Sequence, residues 1–202
     1  MTPEEVLAIL ESTGAVQRGH FRLASGLHSD VYVQKFRVLE HPRIARDLGA
    51  ALAEAFDGAY DVVASPAVGA VILGFTTALA ADARFIFTER VGGSMAFRRD
   101  FFVEPGERVL VVEDVVTTGG SVKEVLGLLG PAEARLVGVG ALIDRTSADS
   151  APDLGVPFQA LLRLDAAAWE EADCPLCVRQ QPLTDPGSSR TAVRSSGPGT
   201  GG

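Results

Sequence analysis

Arg108-Val109-Leu110-Val111-Val112-Glu113-Asp114-Val115-Val116-Thr117-Thr118-Gly119-Gly120-Ser121 passes from an apolar strand through two adjacent carboxylates into a loop of hydroxyls and glycines, and then into a helix. Gly119 and Gly120 let the backbone turn with its N–H groups pointing inward. The hydroxyls of Thr117, Thr118 and Ser121 add donors, and the following helix contributes its positive end. Together they make a site for a phosphate dianion that needs no lysine. Glu113 and Asp114 stand at the C-terminal end of the strand, where ligands of open α/β sheets collect, and two carboxylates there accept hydrogen bonds from sugar hydroxyls. The combination reads as a ribose 5-phosphate site; the competing reading is a solvated strand-to-helix turn. The chain has no G-x-x-x-x-G-K-[ST], and no G-x-G-x-x-G between a strand and a helix, which excludes the usual NTPase and dinucleotide motifs.

Outward from this stretch, periods of two and 3.6 alternate. Asp61-Val62-Val63-Ala64, Arg84 to Thr88, Val109 to Val112 and Leu136 to Ile143 read as strands, the last with Gly138 and Gly140 as weak points. Between them, Ile44, Leu48, Leu52 and Phe56 recur every fourth residue after Pro42, Val68 to Ala80 reads as helix, and Ser121 opens a helix to Leu129 with Glu124 in capping-box spacing. Thr2, Pro3 and Glu5 start an N-terminal helix that Gly14 ends. Strands alternating with helices predict an α/β fold with a central, mostly parallel sheet flanked by helices. The expected core spans about residues 36–165. The flanking segments, about 1–35 and 166–184, are each too short to fold alone and are expected to form a small hood. Residues 185–202, rich in Pro, Gly, Ser, Thr and Arg, read as a disordered tail.

The balance of 18 basic and 26 acidic side chains in 202 residues, net charge −8, argues against a nucleic acid or a lipid surface as partner. Only Lys35 and Lys123 are lysines, so an anion must be caught locally. The charge-free run Val62 to Ala81 has the length of a membrane span but contains Pro66 and polar residues, and divides into strand, loop and helix. The N-terminus lacks the basic and apolar start of an export signal, and two cysteines are too few for a disulfide framework, so the expected setting is cytoplasmic.

The stretch Val109 to Ser121 resembles the phosphoribosyl-diphosphate (PRPP) signature of the type I phosphoribosyltransferases. Phe21-Arg22-Leu23-Ala24-Ser25-Gly26-Leu27-His28-Ser29-Asp30-Val31-Tyr32-Val33 resembles the N-terminal loop of the orotate phosphoribosyltransferases, Ser65 to Gly69 their diphosphate loop, and Ile143-Asp144-Arg145-Thr146 the strand end whose arginine meets the base. The resemblance covers about residues 3–165 and implies the type I phosphoribosyltransferase fold, with transfer of ribose 5-phosphate from PRPP to N1 of orotate. It implies PRPP binding by Glu113, Asp114, Val115, Val116, Thr117, Thr118, Gly119, Gly120, Ser121, Ala67, Val68, Gly69 and Arg90. Orotate binding falls to Thr117, Arg145, Ser25 and Gly26, and the catalytic set to Asp114, Glu113 and Arg90. Mg²⁺ is expected, held mainly by PRPP and water, in a homodimer whose lid covers the neighbouring site. The lid stretch, Thr88 to Arg99, departs from the family pattern in having no lysine, and Ala24 stands where the N-terminal loop often has one. Arg90, Arg98, Arg99 and Lys35 are the substitutes, against the plainer reading of solvated or ion-paired side chains.

His28 is read as a residue that could touch substrate, His20 and His41 as surface or capping residues, and Trp169 as packing. Cys174 and Cys177 supply two ligands with no Cys or His near in sequence, so they read as two partly buried thiols, with a zinc shared between subunits as the alternative. Two other functions stay open. One is a phosphoribosyltransferase for another base, since the PRPP loop is shared across the superfamily; the other is a PRPP-sensing regulator that has lost catalysis.

Overall fold

A computed structural model describes residues 1–146 and 152–186. The chain opens with helix α1 (Pro3–Ser12), whose expected capping box is present: Glu5 N–H donates to Thr2 Oγ1 at 3.3 Å and Thr2 N–H to Glu5 Oε2 at 2.8 Å. Strands β1 (Val16–Arg22) and β2 (His28–Val33), a short helix α2 (Phe36–Leu39) and helix α3 (Pro42–Glu54) follow. Then come β3 (Val62–Pro66), α4 (Val71–Ala80), β4 (Arg84–Val91), β5 (Ser94–Phe97), β6 (Arg108–Val116), α5 (Gly120–Leu129), β7 (Arg135–Asp144) and β8 (Phe158–Arg163). Last are β9 (Ala168–Trp169), a 3₁₀ turn (Glu171–Asp173) and a one-turn helix α6 (Pro175–Val178).

Two compact units result, one of Met1–Gln17 with Val33–Ala166, the other of Arg18–Tyr32 with the chain from Ala167. The larger unit carries a six-stranded sheet in the order β5-β4-β3-β6-β7-β8, parallel throughout except for the β4–β5 pair at one edge. This is the expected mostly parallel α/β sheet. Its middle strands are buried on both faces, which is why Val62–Ala64 of β3 and Val109–Val112 of β6 read as unbroken apolar runs rather than alternating ones. Gly138 and Gly140 do not weaken β7. A Cβ on Gly138 would meet Phe56 Cε1 at 2.7 Å, and one on Gly140 would meet Leu52 at 3.1 Å, so the missing side chains let α3 lie close on the sheet.

The division of the chain differs from the expected one. The whole of α1 belongs to the larger unit, where it packs on β8 and buries Val6 and Leu10 completely. The smaller unit contains the three-stranded sheet β1-β2-β9, in which His28 pairs with Trp169 and Ser29 with Ala168. The expected tail from residue 185 lies, but for Asp185 and Pro186, outside the described residues. No helix among the described residues is long and apolar enough to cross a membrane, and Val62 to Ala81 is divided between β3 and α4 as its composition predicts.

Candidate active site

β3 leads through α4 to β4 on one side, whereas β6 leads through α5 to β7 on the other, so the sheet changes winding direction between β3 and β6. Such a switch point opens a crevice beyond the carboxyl ends of the two strands. The pairing shows where. β3 pairs with β6 only from Val62–Val109 to Ala64–Val111, whereas β6 keeps its bonds to β7 as far as Val116–Asp144. Glu113 and Asp114 thus lie within β6, not past its end, in the part that β3 no longer covers. They line a hollow of 250 Å³ with Lys35, Ala67, Val68, Gly69, Met95 and Ser121.

Both carboxylates are buried. Glu113 Oε1 accepts from Asp114 N–H at 3.0 Å, Asp114 Oδ1 from Val115 N–H at 2.6 Å, and Asp114 Oδ2 lies 2.6 Å from Lys35 Nζ. Burial, then the neighbouring Asp114 charge, push the Glu113 carboxyl up to about 8, against the smaller opposing pull of the Asp114 N–H and Lys35. Glu113 is therefore largely neutral at neutral pH, beside the Asp114–Lys35 pair. Gly69 makes room for that pair: a Cβ there would sit 1.9 Å from Asp114 Oδ2 and 2.6 Å from Lys35 Nζ. The Ala67–Val68 peptide beside it is cis.

Next to this hollow is a smaller one of 70 Å³ formed by Glu113 and the loop from Val115 to Val122. Its helix, α5, is not capped as Ser121 and Glu124 suggested. The N-cap residue is Gly119, at φ +74°, with no side chain accepting from the first turn. Those N–H groups are left for a ligand, and an anion there also meets the positive end of α5. Glu124 is instead used to hold the β4–β5 hairpin: it accepts from Met95 N–H at 3.0 Å and pairs with Arg90 at 3.0 Å. Gly92 and Gly93, both at positive φ, make the two-residue turn of that hairpin.

Arg145 follows β7 directly, and its N–H donates to Val116 O at 2.8 Å, which brings it alongside Thr117 at the ends of adjacent strands. One more arginine belongs to this corner: Arg163 of β8, outside the sequence reading because β8 was not foreseen, donates to Thr146 O at 3.3 Å and lies 3.8 Å from Asp144. The larger unit thus gathers Glu113 to Ser121, Ala67 to Gly69 and Lys35 around two adjoining hollows, with Arg145 at the end of the neighbouring strand. Arg90, Arg98 and Arg99 are exposed, Arg90 paired with Glu124 and Arg99 with Glu89 at 3.0 Å. Ser25 and Gly26 are exposed on the turn between β1 and β2, in the smaller unit, where Leu23 N–H donates to Leu27 O at 2.8 Å.

His20 and His28 behave differently from their sequence reading. Both are buried, and their rings meet each other and the two cysteines rather than solvent. His41 is exposed at the start of α3 and its side chain does not cap the helix. The signal for the histidines was their spacing across a strand, turn and strand, which only pairing of β1 with β2 makes meaningful.

Residues 37–157 match the phosphoribosyl transferase domain. An orotate phosphoribosyltransferase of Thermotoga maritima is 50% identical over 182 residues, 89% of this chain and 96% of that one. Among solved structures, the orotate phosphoribosyltransferase of Aeropyrum pernix superposes with a TM-score of 0.65 at 25% identity, covering 79% of this chain and 93% of the other. The adenine phosphoribosyltransferase of Rhodothermus marinus superposes with a TM-score of 0.63 at 25% identity, covering 78% and 99%. Fold alone thus spans more than one base. Sequence along nearly the full length of both chains is the narrower criterion, and by it this chain belongs to the orotate phosphoribosyltransferase family.

Proposed function

We propose that the protein transfers ribose 5-phosphate from PRPP to N1 of orotate, giving orotidine 5′-monophosphate and diphosphate. The observation that carries this reading is the crevice at the β3–β6 switch point, where two buried carboxylates adjoin a helix start with unclaimed N–H groups. The loop from Thr117 to Ser121 takes the 5-phosphate, and Glu113 and Asp114 take the ribose hydroxyls. The backbone of Ala67 to Gly69 takes the diphosphate, and Arg145 and Thr117 orient the base. The C1′–O bond to diphosphate breaks as the N1–C1′ bond forms, with N1 arriving as an anion, so no general base is assigned. Catalysis then consists of alignment and of stabilising charge on the leaving group.

The donors present suit a Mg²⁺ ion only as a minor share of its shell. Mg²⁺ takes six oxygens in near-octahedral geometry, and the crevice offers two carboxylates, one already paired with Lys35. Glu113 and Asp114 would hold the ion through ribose oxygens or water, and the ion would supply neutralisation of the diphosphate. The lid reading keeps Arg90, Arg98 and Arg99, with the β4–β5 hairpin as the moving part and Arg90 exchanging Glu124 for diphosphate. A homodimer is supported by the exposed apolar side chains Phe75 and Leu79 on one helix, 55% and 61% accessible. A cytoplasmic setting accords with two unbridged cysteines. Loss of orotate absorbance that requires both PRPP and Mg²⁺, with orotidine 5′-monophosphate as product, tests the proposal; binding of PRPP without turnover would favour the regulator.

A further inference from the structure

The smaller unit has little to hold it together. Among the described residues its buried apolar side chains are few, Phe21, Val31 and Leu176 among them, and a body of that size ordinarily needs a covalent or metal staple. At its centre are four side chains from three separate elements: His20 on β1, His28 on β2, and Cys174 and Cys177 at the start and within α6. One donor atom from each lies within 4.8 Å of all the others. His20 Nε2 is 3.0 Å from His28 Nδ1, 3.5 Å from Cys174 Sγ and 3.7 Å from Cys177 Sγ; Cys177 Sγ is 3.2 Å from His28 Nδ1. The cysteines are not joined in a disulfide.

We infer that these four residues form a structural zinc site. Zinc bonds of about 2.0–2.1 Å to nitrogen and 2.3 Å to sulfur put tetrahedral ligands about 3.3 Å apart for N and N, and about 3.6 Å for N and S, close to the spacings found. His20 is already turned for the task. Its Nδ1 lies 2.9 Å from Gln181 O, so the ring donates there and presents the Nε2 lone pair to the cluster, a carbonyl hydrogen bond fixing the ring as it does in ligating histidines. Two thiols give up their protons as the ion binds, and two thiolates with two neutral imidazoles then balance its charge, which suits a buried position. Four protein ligands leave no open position, so the ion is structural. It ties residues 154 positions apart in sequence, and its two histidines bracket the turn that carries Ser25 and Gly26.

The test uses the full chain, expressed with zinc in the medium and purified without a metal-affinity column. Elemental analysis after dialysis should give about one zinc per chain, falling at least tenfold in the Cys174→Ser/Cys177→Ser variant. Should that variant fail to fold, cobalt exchanged into the wild-type protein decides the matter: tetrahedral d–d bands with thiolate-to-cobalt charge transfer are expected. Wild-type protein without zinc, cobalt spectra lacking thiolate bands, or a double variant that keeps its zinc would each overturn the assignment. None of these readouts depends on turnover, so the zinc site and the proposed reaction stand or fall separately.

Discussion

Lys35 Nζ lies 2.6 Å from Asp114 Oδ2, so one of the two lysines of the chain pairs with the carboxylate assigned to the ribose. The lysine side chain is about one-third exposed and the aspartate buried. Sugar hydroxyls arriving at Asp114 must compete with Lys35 or share the carboxylate with it. Asp114→Asn should therefore weaken PRPP binding by about 10–100-fold, the range for losing hydrogen bonds to a charged group, while the KM for orotate changes little. Steady-state kinetics with each substrate varied in turn checks this, and equal losses for both substrates would contradict it.

Gly69 is held small by the same pair. A methyl group at this position would enter the space of Asp114 Oδ2, at 1.9 Å, so Gly69→Ala must displace the carboxylate or the loop that faces it. A shift of about an ångström in a positioning group costs on the order of 10²-fold, and that loss is expected in kcat/KM for PRPP. Thermal unfolding of the variant should stay near the wild type, since the clash lies at the crevice beyond the last β3–β6 pair, Ala64–Val111, rather than in the apolar core.

Glu113 gives the protein a pH signature of its own. Held in its neutral form by burial, with a carboxyl raised from 4.5 to about 8, it contributes stability fully below pH 4.5 that is lost as the pH rises through about 8. Glu113→Gln, which cannot ionise, should flatten the fall in melting temperature between pH 5 and 9 and leave the variant more stable than the wild type at the alkaline end. Parallel melting curves for the two proteins across that range would show that Glu113 ionises at its ordinary pH.

Arg145 and Thr117 emerge side by side from β7 and β6, and an arginine there offers a planar double donor to the carboxylate or carbonyls of a pyrimidine. Arg145→Ala should raise the KM for orotate by about 10–100-fold with a much smaller effect on PRPP. Titration calorimetry of the variant with each substrate separates the two, and loss of PRPP affinity alone would reverse the assignment.

Much of this was legible in the sequence because local pattern and tertiary role agree there. β6 and its loop are apolar, then acidic, then glycine-rich, and the structure makes of them a buried strand, two buried carboxylates and a helix that starts at Gly119. Where one residue type serves two purposes the reading failed. Glu124 has capping-box spacing from Ser121, but the cap is backbone at Gly119, and the glutamate holds Arg90 and the β4–β5 hairpin instead. β8 was missed because Phe158–Arg163 follows a polar loop and lies at the sheet edge, where one face is exposed. The His20, His28, Cys174 and Cys177 cluster was invisible for a different reason: its members join through pairing between chain ends, and no spacing along the sequence encodes that.

The base is what separates this protein from the adenine phosphoribosyltransferases that share its fold. Purified protein incubated with PRPP and Mg²⁺ should deplete orotate, followed by its ultraviolet absorbance, and leave adenine, guanine, hypoxanthine and uracil unchanged when each is supplied in its place. Consumption of any of those four in preference to orotate, or binding of PRPP with no base consumed, would contradict the account.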